Sequence, residues 1–185
     1  MMKSQGYSLV ESLTAVCVLC IIFIMAHNSF SDLFKRYQAY TLSNELYLLI
    51  AHARSYALTN HRSLTLCGSS NGEFCNNDWT SGALLFEDPD RDGVLDNYDA
   101  VIQFHQFNLK KANLTWKGFN GSKIIFESMG ITYASNGTFT YCQLDKNPQY
   151  SRQVIINRGA RARKSFDANG DGIHENSSGQ PINCP

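Results

Sequence analysis

The 185-residue chain has no excess of either charge, with 16 Lys and Arg against 16 Asp and Glu. That balance excludes a protein that is basic throughout and holds nucleic acid by bulk electrostatics, and equally an acidic disordered chain. Catalytic signatures are missing as well. There is no HExxH, no G-x-S-x-G and no phosphate-binding glycine loop, and the 5 histidines fall at no metal-binding or catalytic spacing. An enzyme is therefore not expected. Proline is scarce, with 4 in all and none before Pro89. No internal repeat or low-complexity tract occurs. The length suits one domain with a sizeable core, with at most an appendage.

What is present is strongly polarised along the chain. Residues 12–25 carry no charged side chain, and the wider run 7–26 has 20 residues. As a helix that run measures about 30 Å, enough to cross a bilayer core. Glu11 interrupts it near its start. A secretory signal peptide is the ordinary reading of an apolar run after Lys3. Glu11 is misplaced for one, and the nearest cleavage site, ending at Ala26, has Ile24 where a small residue belongs. A lipoprotein signal needs a small residue before its cysteine, whereas Leu19 precedes Cys20. A carboxylate in an apolar helix costs about 2.5–3.5 kcal/mol at mid-membrane and less near the interface, so Glu11 calls for a partner. If the chain were cut before Tyr7, the new amino group would lie about one helical turn away.

Helix formers continue beyond the apolar run. Leu42, Leu46, Leu49, Ala53 and Ala57 recur at steps of three and four, the period of an amphipathic helix with one buried stripe. The pattern breaks at Thr59-Asn60-His61. Strands are then expected at 62–67, 82–87, 100–107, 113–117, 123–127, 138–143 and 151–157, with a short one near 161–165. Turn signals such as Asn120-Gly121 and Asn136-Gly137 separate them. A helix followed by consecutive strands fits an α+β head whose antiparallel sheet covers the stripe.

Two stretches carry a family resemblance. Gly6-Tyr7-Ser8-Leu9-Val10-Glu11-Ser12-Leu13 resembles the prepilin motif of type IV pilins and type II secretion pseudopilins: a short basic leader, Gly before the cut, an aromatic after it, and Glu four residues on. Tyr7 stands where Phe is usual. The second stretch resembles the GspH/FimT group of minor pilins. Its helix from Leu46 ends in Ala53-Arg54-Ser55, a strand ends in Cys67, and Cys75 follows. The segment Asp78-Trp79-Thr80-Ser81-Gly82-Ala83-Leu84-Leu85-Phe86-Glu87-Asp88 continues the pattern. The likeness covers most of the chain and weakens between about residues 108 and 149.

The resemblance implies a type IV pilin fold, a long helix with an apolar first half packed on an antiparallel β-sheet head. It implies a leader over residues 1–6, a transmembrane and filament-core helix over 7–30, and a periplasmic or extracellular head over 31–185 whose helix continues to about 59. It further implies cleavage between Gly6 and Tyr7 by a prepilin peptidase, methylation of the Tyr7 amine, and pairing of Glu11 with that amine on a neighbouring subunit. The protein would sit in the bacterial inner membrane by a single pass, then join other minor and major pilins in a tip or priming complex. A type II secretion pseudopilin shares every one of these motifs. No cofactor is required.

Six cysteines divide into two and four. Cys17 and Cys20 have CxxC spacing inside the apolar run, where thiols pack as small hydrophobes more often than they do redox chemistry. Beyond it an oxidising compartment permits disulfides, and four cysteines allow three pairings. The expected pairs are Cys67–Cys75, pinning a short Gly/Asn loop, and Cys142–Cys184, tying the C-terminal tail to a strand. A Zn site is the alternative, but Cys67 and Cys75 are eight apart and no His pair follows at ligand spacing.

Two further motifs bear charge. Asp88, Asp90, Asp92, Gly93, Asp96 and Asp99 match the opening of a calcium loop, with oxygen ligands at alternate positions and a glycine at the sharp turn. Asp99 stands where an EF-hand has a bidentate Glu, and strands flank the motif. Asp167, Asn169, Asp171, Gly172 and Glu175 repeat the theme in shorter form. Asx-rich β-turns are the plainer reading of both. Arg152, Arg158, Arg161, Arg163 and Lys164 form a run without an acid. Arg161 and Arg163 on a strand would share one face, suited to phosphates. The run resembles the Gly-Arg-x-Arg motif of DNA-binding pilins of natural transformation, with Ala160 intervening after Gly159. A solvated face, or ion pairs with the acidic turns, accounts for the same residues.

Overall fold

The computed structural model describes residues 8–109, 111–119 and 121–184, apart from the side chains of residues 25–29. The expected leader, Gly6 and Tyr7 lie outside the described residues. One helix, α1 (Leu9–Asn60), opens the chain with Glu11 in its first turn, where the helix dipole favours a negative charge. It ends because His61 turns left-handed, with φ of 53°, and Asn60 Nδ2 donates to Tyr56 O at 3.0 Å.

The chain divides into two compact units, Met1–Tyr37 and Gln38–Pro185. In the first, Leu9, Leu13, Val16, Leu19, Ile22 and Phe23 are all exposed, so the helix is apolar around its whole circumference. A helix of that kind is stable only where lipid or other helices cover it. Among the described residues no helix is long and apolar enough to cross a membrane. The described apolar run stops at Ile24, and Tyr7 and the side chains of 25–29 lie outside the description.

In the second unit the stripe of α1 is buried throughout. Leu42, Leu46, Leu49, Ala53 and Ala57 are joined in it by Ala39 and Ile50. Eight strands follow: β1 (Leu64–Gly68), β2 (Gly82–Glu87), β3 (Ala100–Gln106), β4 (Ala112–Gly118), β5 (Ile124–Phe126), β6 (Gly137–Gln143), β7 (Arg152–Ile156) and β8 (Ala162–Lys164). All pairings are antiparallel. The expected single sheet is two four-stranded sheets, ordered β3-β2-β1-β5 and β4-β6-β7-β8. The chain leaves the first sheet after β3, starts the second with β4, and returns for β5.

Both sheets and the helix stripe share one core, in which Leu64, Leu66 and Phe126 meet Leu114, Phe139 and Val154. Trp79 and Trp116 close it, their rings 4.8 and 4.6 Å from that of Phe139. Gly68 is required there, because a Cβ would lie 2.8 Å from the Trp79 backbone nitrogen and 2.9 Å from its ring. The second sheet alternates buried and exposed along β4, as a strand with one wet face should. The first does not, since β1 is buried along its whole length. Its far face carries a smaller core of Cys67, Leu84 and Phe86, covered by Cys75, Leu95 and Phe104. Those covering residues bring the loops 69–81 and 88–99 down onto the sheet.

Cys67 joins Cys75 and Cys142 joins Cys184, with Cα separations of 5.7 and 5.9 Å. The second bond spans 42 positions, a closure of roughly 4 kcal/mol in the chain-entropy treatment. Cys17 and Cys20 are free and exposed.

Candidate functional site

At the start of α1, Glu11 is exposed among apolar side chains, and Thr14 Oγ1 donates to its backbone carbonyl at 2.9 Å. Its carboxylate is the one charge in the described apolar run.

The acidic loop 88–99 is built around Asp88. This carboxylate is fully buried and accepts three hydrogen bonds: from Arg91 N at 2.7 Å, Gly93 N at 3.0 Å and Thr65 Oγ1 at 2.5 Å. About one of its four lone-pair positions is left. Asp90 Oδ1 accepts from Asp92 N at 3.4 Å, and Asp92 Oδ1 from Val94 N at 2.6 Å. From outside the loop, Lys123 Nζ donates to Gly93 O, and Arg91 pairs with Glu127 at 3.2 Å. Of the five expected ligands, Asp88, Asp90 and Asp99 come together, with one oxygen of each within 4.8 Å of the others. Asp92 and Asp96 do not join that group; their Oδ1 atoms accept from Val94 N and Tyr98 N. Burial holds the Asp99 carboxyl above its ordinary value, and the charges of Asp88, Asp96 and Asp90 push the same way.

The second loop repeats the first bond for bond. Asp167 accepts from Gly170 N and Gly172 N at 2.7 and 2.8 Å, as Asp88 does from Arg91 and Gly93. Asn169 accepts from Asp171 N and Asp171 from Ile173 N, as Asp90 and Asp92 do in theirs. Position four is left-handed in both, Arg91 at φ of 64° and Gly170 at 80°. Carboxylate oxygens of Asp167, Asp171 and Glu175 converge within 4.8 Å. Backbone donation, from Gly172 above all, holds Asp167 below the ordinary carboxylate value. Thr65 and Lys123, which brace the first loop, have no signal in the sequence, because strand pairing alone brings them near.

The basic run forms the β7–β8 turn and the edge strand β8. Arg158, Arg161 and Arg163 are exposed, and among the described residues none of these three forms an ion pair, which fits a solvated face for them better than pairing with the acidic turns. Lys164 does not share their face. It reaches α1, where its Nζ donates to Asn44 Oδ1 at 2.6 Å and lies 5.7 Å from the rings of Tyr40 and Tyr47. Strand alternation explains the split within β8, placing Ala162 and Lys164 toward the helix and Arg163 on the other face, while Arg161 precedes the strand and lines a groove beside α1.

Comparison with known proteins gives the family and the fold. The profile of the type II transport protein GspH matches residues 42–160. No curated protein matches the chain. Two crystal structures of the Pseudomonas aeruginosa (strain PAO1) type IV minor pilin FimU share the fold. The P21 form is 21% identical with a TM-score of 0.55, covering 84% of this chain and 99% of that one. The P65 form is 20% identical with a TM-score of 0.52, covering 78% and 98%.

The second loop hangs on His174, whose Nδ1 lies 2.9 Å from Ser165 O and so carries the proton. Burial, then the charge of Arg152, lowers its pKa below the ordinary 6.5. The unfolded chain therefore takes up a proton first, so the stability is complete above pH 6.5 and is lost as pH falls through the folded value. Asp167 acts with the same sign but lower, in the carboxylate range. We expect the thermal midpoint to fall between pH 7 and pH 5, and His174→Gln to flatten that fall. An unchanged slope in the variant would remove His174 as its source.

Proposed function

This chain belongs to the family of the type II transport protein GspH, and from that premise we propose that it is a minor pilin of a type IV pilus, acting in the tip or priming complex. The family is one of structural subunits that associate with other pilins, and its place is the cell envelope or the pilus. The observation that carries the finer reading is the first half of α1: apolar all round, exposed, with Glu11 in the first turn. Such a surface supports anchoring by a single pass in the inner membrane, then packing among neighbouring helices. Prepilin peptidase would cut between Gly6 and Tyr7, and the new Tyr7 amine would be methylated. Glu11 would then pair with that amine on the adjacent subunit. A type II secretion pseudopilin would use the same steps.

The test is Glu11→Ala in the full-length chain. Leader removal and head folding should be unchanged, while incorporation into sheared pili falls by roughly tenfold to a hundredfold, the scale of an uncompensated charge in lipid. Normal incorporation would sink the pairing. Deleting the chain should abolish surface pili and spare secretion, and the reverse outcome would make it the secretion pseudopilin.

Two ligand readings belong to the head. For calcium, the convergence of Asp88, Asp90 and Asp99 is the supporting observation, since oxygens on one Ca²⁺ at about 2.3–2.6 Å lie no more than about 5 Å apart. Calcium at ten times its Kd should stabilise the protein by about 1.4 kcal/mol, read as a rise in thermal midpoint. Asp90→Asn with Asp99→Asn should cancel the rise, and a wild type indifferent to calcium would leave these loops as Asx turns. For DNA, the supporting observation is the exposed, unpaired Arg158, Arg161 and Arg163. Binding in a mobility shift should weaken with salt by about 0.9 log units per log unit for each phosphate held. Arg161→Ala with Arg163→Ala should abolish it. No shift at low salt would exclude DNA.

A further inference from the structure

A hollow of about 230 Å³ lies between α1 and the edge strand β3, lined by Glu45, Leu48, Leu49, His52, Gln103 and His105. Glu45 and His52 are seven residues apart on the helix, two turns along one face and about 10.5 Å apart along its axis. Gln103 and His105 are two apart on β3 and so share the facing wall. Two of the five histidines, a carboxylate and an amide thus surround one cavity. No sequence spacing predicts this set, because β3 reaches the helix only through the fold.

Imidazole nitrogens and carboxylate oxygens are donors that zinc takes, at about 2.0–2.2 Å in a tetrahedral array, which sets any two of them about 3.3–3.5 Å apart. His105 Nε2 lies 3.5 Å from Glu45 Oε2. That is long for a hydrogen bond and is the separation of two ligands on one zinc ion. Both side chains are partly exposed, so an ion can reach them from solvent. His52 is exposed on the same hollow, its ring edge-on to Tyr56 at 6.3 Å. Its nitrogens do not lie within 4.8 Å of both other donors as the side chain stands, and a turn about its exposed side-chain bonds brings one over the hollow. Two helical turns are within the combined reach of a glutamate and a histidine that meet at a metal between them. The acidic loops offer oxygen alone and suit a hard cation, whereas two imidazoles and a carboxylate suit zinc.

We propose that Glu45, His52 and His105 bind one zinc ion, with water or the Gln103 amide oxygen in the fourth position. The ion ties α1 to the free edge of the first sheet. Without it, Glu45 and His105 are an exposed ion pair, which adds little stability. The site is separate from the acidic loops, from the basic run and from the apolar half of α1, so it stands whether or not the chain is a pilin.

Calorimetric titration of zinc into the full-length chain in detergent tests it. The protein is made without a polyhistidine tag and in a Cys17→Ser/Cys20→Ser background, since those thiols take the same ion. One zinc ion per chain should bind and raise the thermal midpoint. Glu45→Gln, His52→Gln and His105→Gln should each weaken binding by more than roughly a hundredfold, the upper end of what losing a residue behind a ligand costs. Asp90→Asn with Asp99→Asn should leave it unchanged, as should His174→Gln. Midpoints measured without zinc keep the loss of a ligand apart from the loss of the fold, and the three ligand variants decide independently. No binding at millimolar zinc overturns the site, and so does binding indifferent to any one of the three ligand variants. Loss of binding in the Asp90/Asp99 or His174 variant also overturns it and moves the ion to an acidic loop.

Discussion

The head depends on the burial of one stripe of α1 against two sheets at once. Ala39, Leu42, Leu46, Ile50, Ala53 and Ala57 are all buried in the cluster that both sheets share. The main core belongs to neither sheet alone. Leu64 and Leu66 of the first meet Leu114, Phe139 and Val154 of the second only because the helix stripe joins both to one cluster. Truncating a buried leucine costs about 2–5 kcal/mol, against a typical net stability of about 5–15 kcal/mol. A single stripe residue thus carries a sizeable share of the fold. The disulfides act elsewhere, on loop 69–81 and on the tail, where apolar burial is thin.

The same constraint decides where function can reside. Once the stripe and the inner face of each sheet are committed to the core, recognition falls to the surfaces that remain. These are the apolar first half of α1, the loops beyond the strands, and the edge strand β8. The loop 88–99 is positioned by packing, since Leu95 covers Phe86 and Leu84 on the far face of the first sheet. The buried Asp88 is tied to Thr65 in β1. A carboxylate so enclosed holds its loop to the sheet as firmly as an apolar residue would, provided every hydrogen bond is made.

Much of this was legible in the sequence, for a physical reason. The stripe is a local periodicity, and each strand is a short apolar run between turn signals, so the helix and all eight strands fall near where the pattern puts them. Strand order is not local. That β4 starts a second sheet before β5 returns to the first depends on pairings far apart in the chain, which no spacing encodes. The basic run shows the same boundary. Alternation put Arg161 and Arg163 on one face, yet Arg161 precedes β8 and lines a groove beside α1, and Lys164 faces Asn44 and Tyr47, contacts with a helix that lies far away in sequence. The acidic motif was read as one ligand set, yet Asp92 and Asp96 cap backbone amides instead of joining Asp88, Asp90 and Asp99.

The two acidic loops then pose a question that their identical hydrogen bonding sharpens. Position four is left-handed in both, a conformation that costs a residue with a side chain and is nearly free for glycine. The second loop has Gly170 there, but the first has Arg91. Arginine in that place reaches Glu127, beyond the end of β5, at 3.2 Å. With Lys123 on Gly93 O and Thr65 on Asp88, three residues in or beside β1 and β5 grip one loop. The second loop has no such grip among the described residues and hangs from His174 and the Cys142–Cys184 bond. The left-handed backbone at Arg91 is thus offset by the bracing that its side chain makes. The loop that is braced suits a fixed contact, and the loop tethered by a histidine yields to acid.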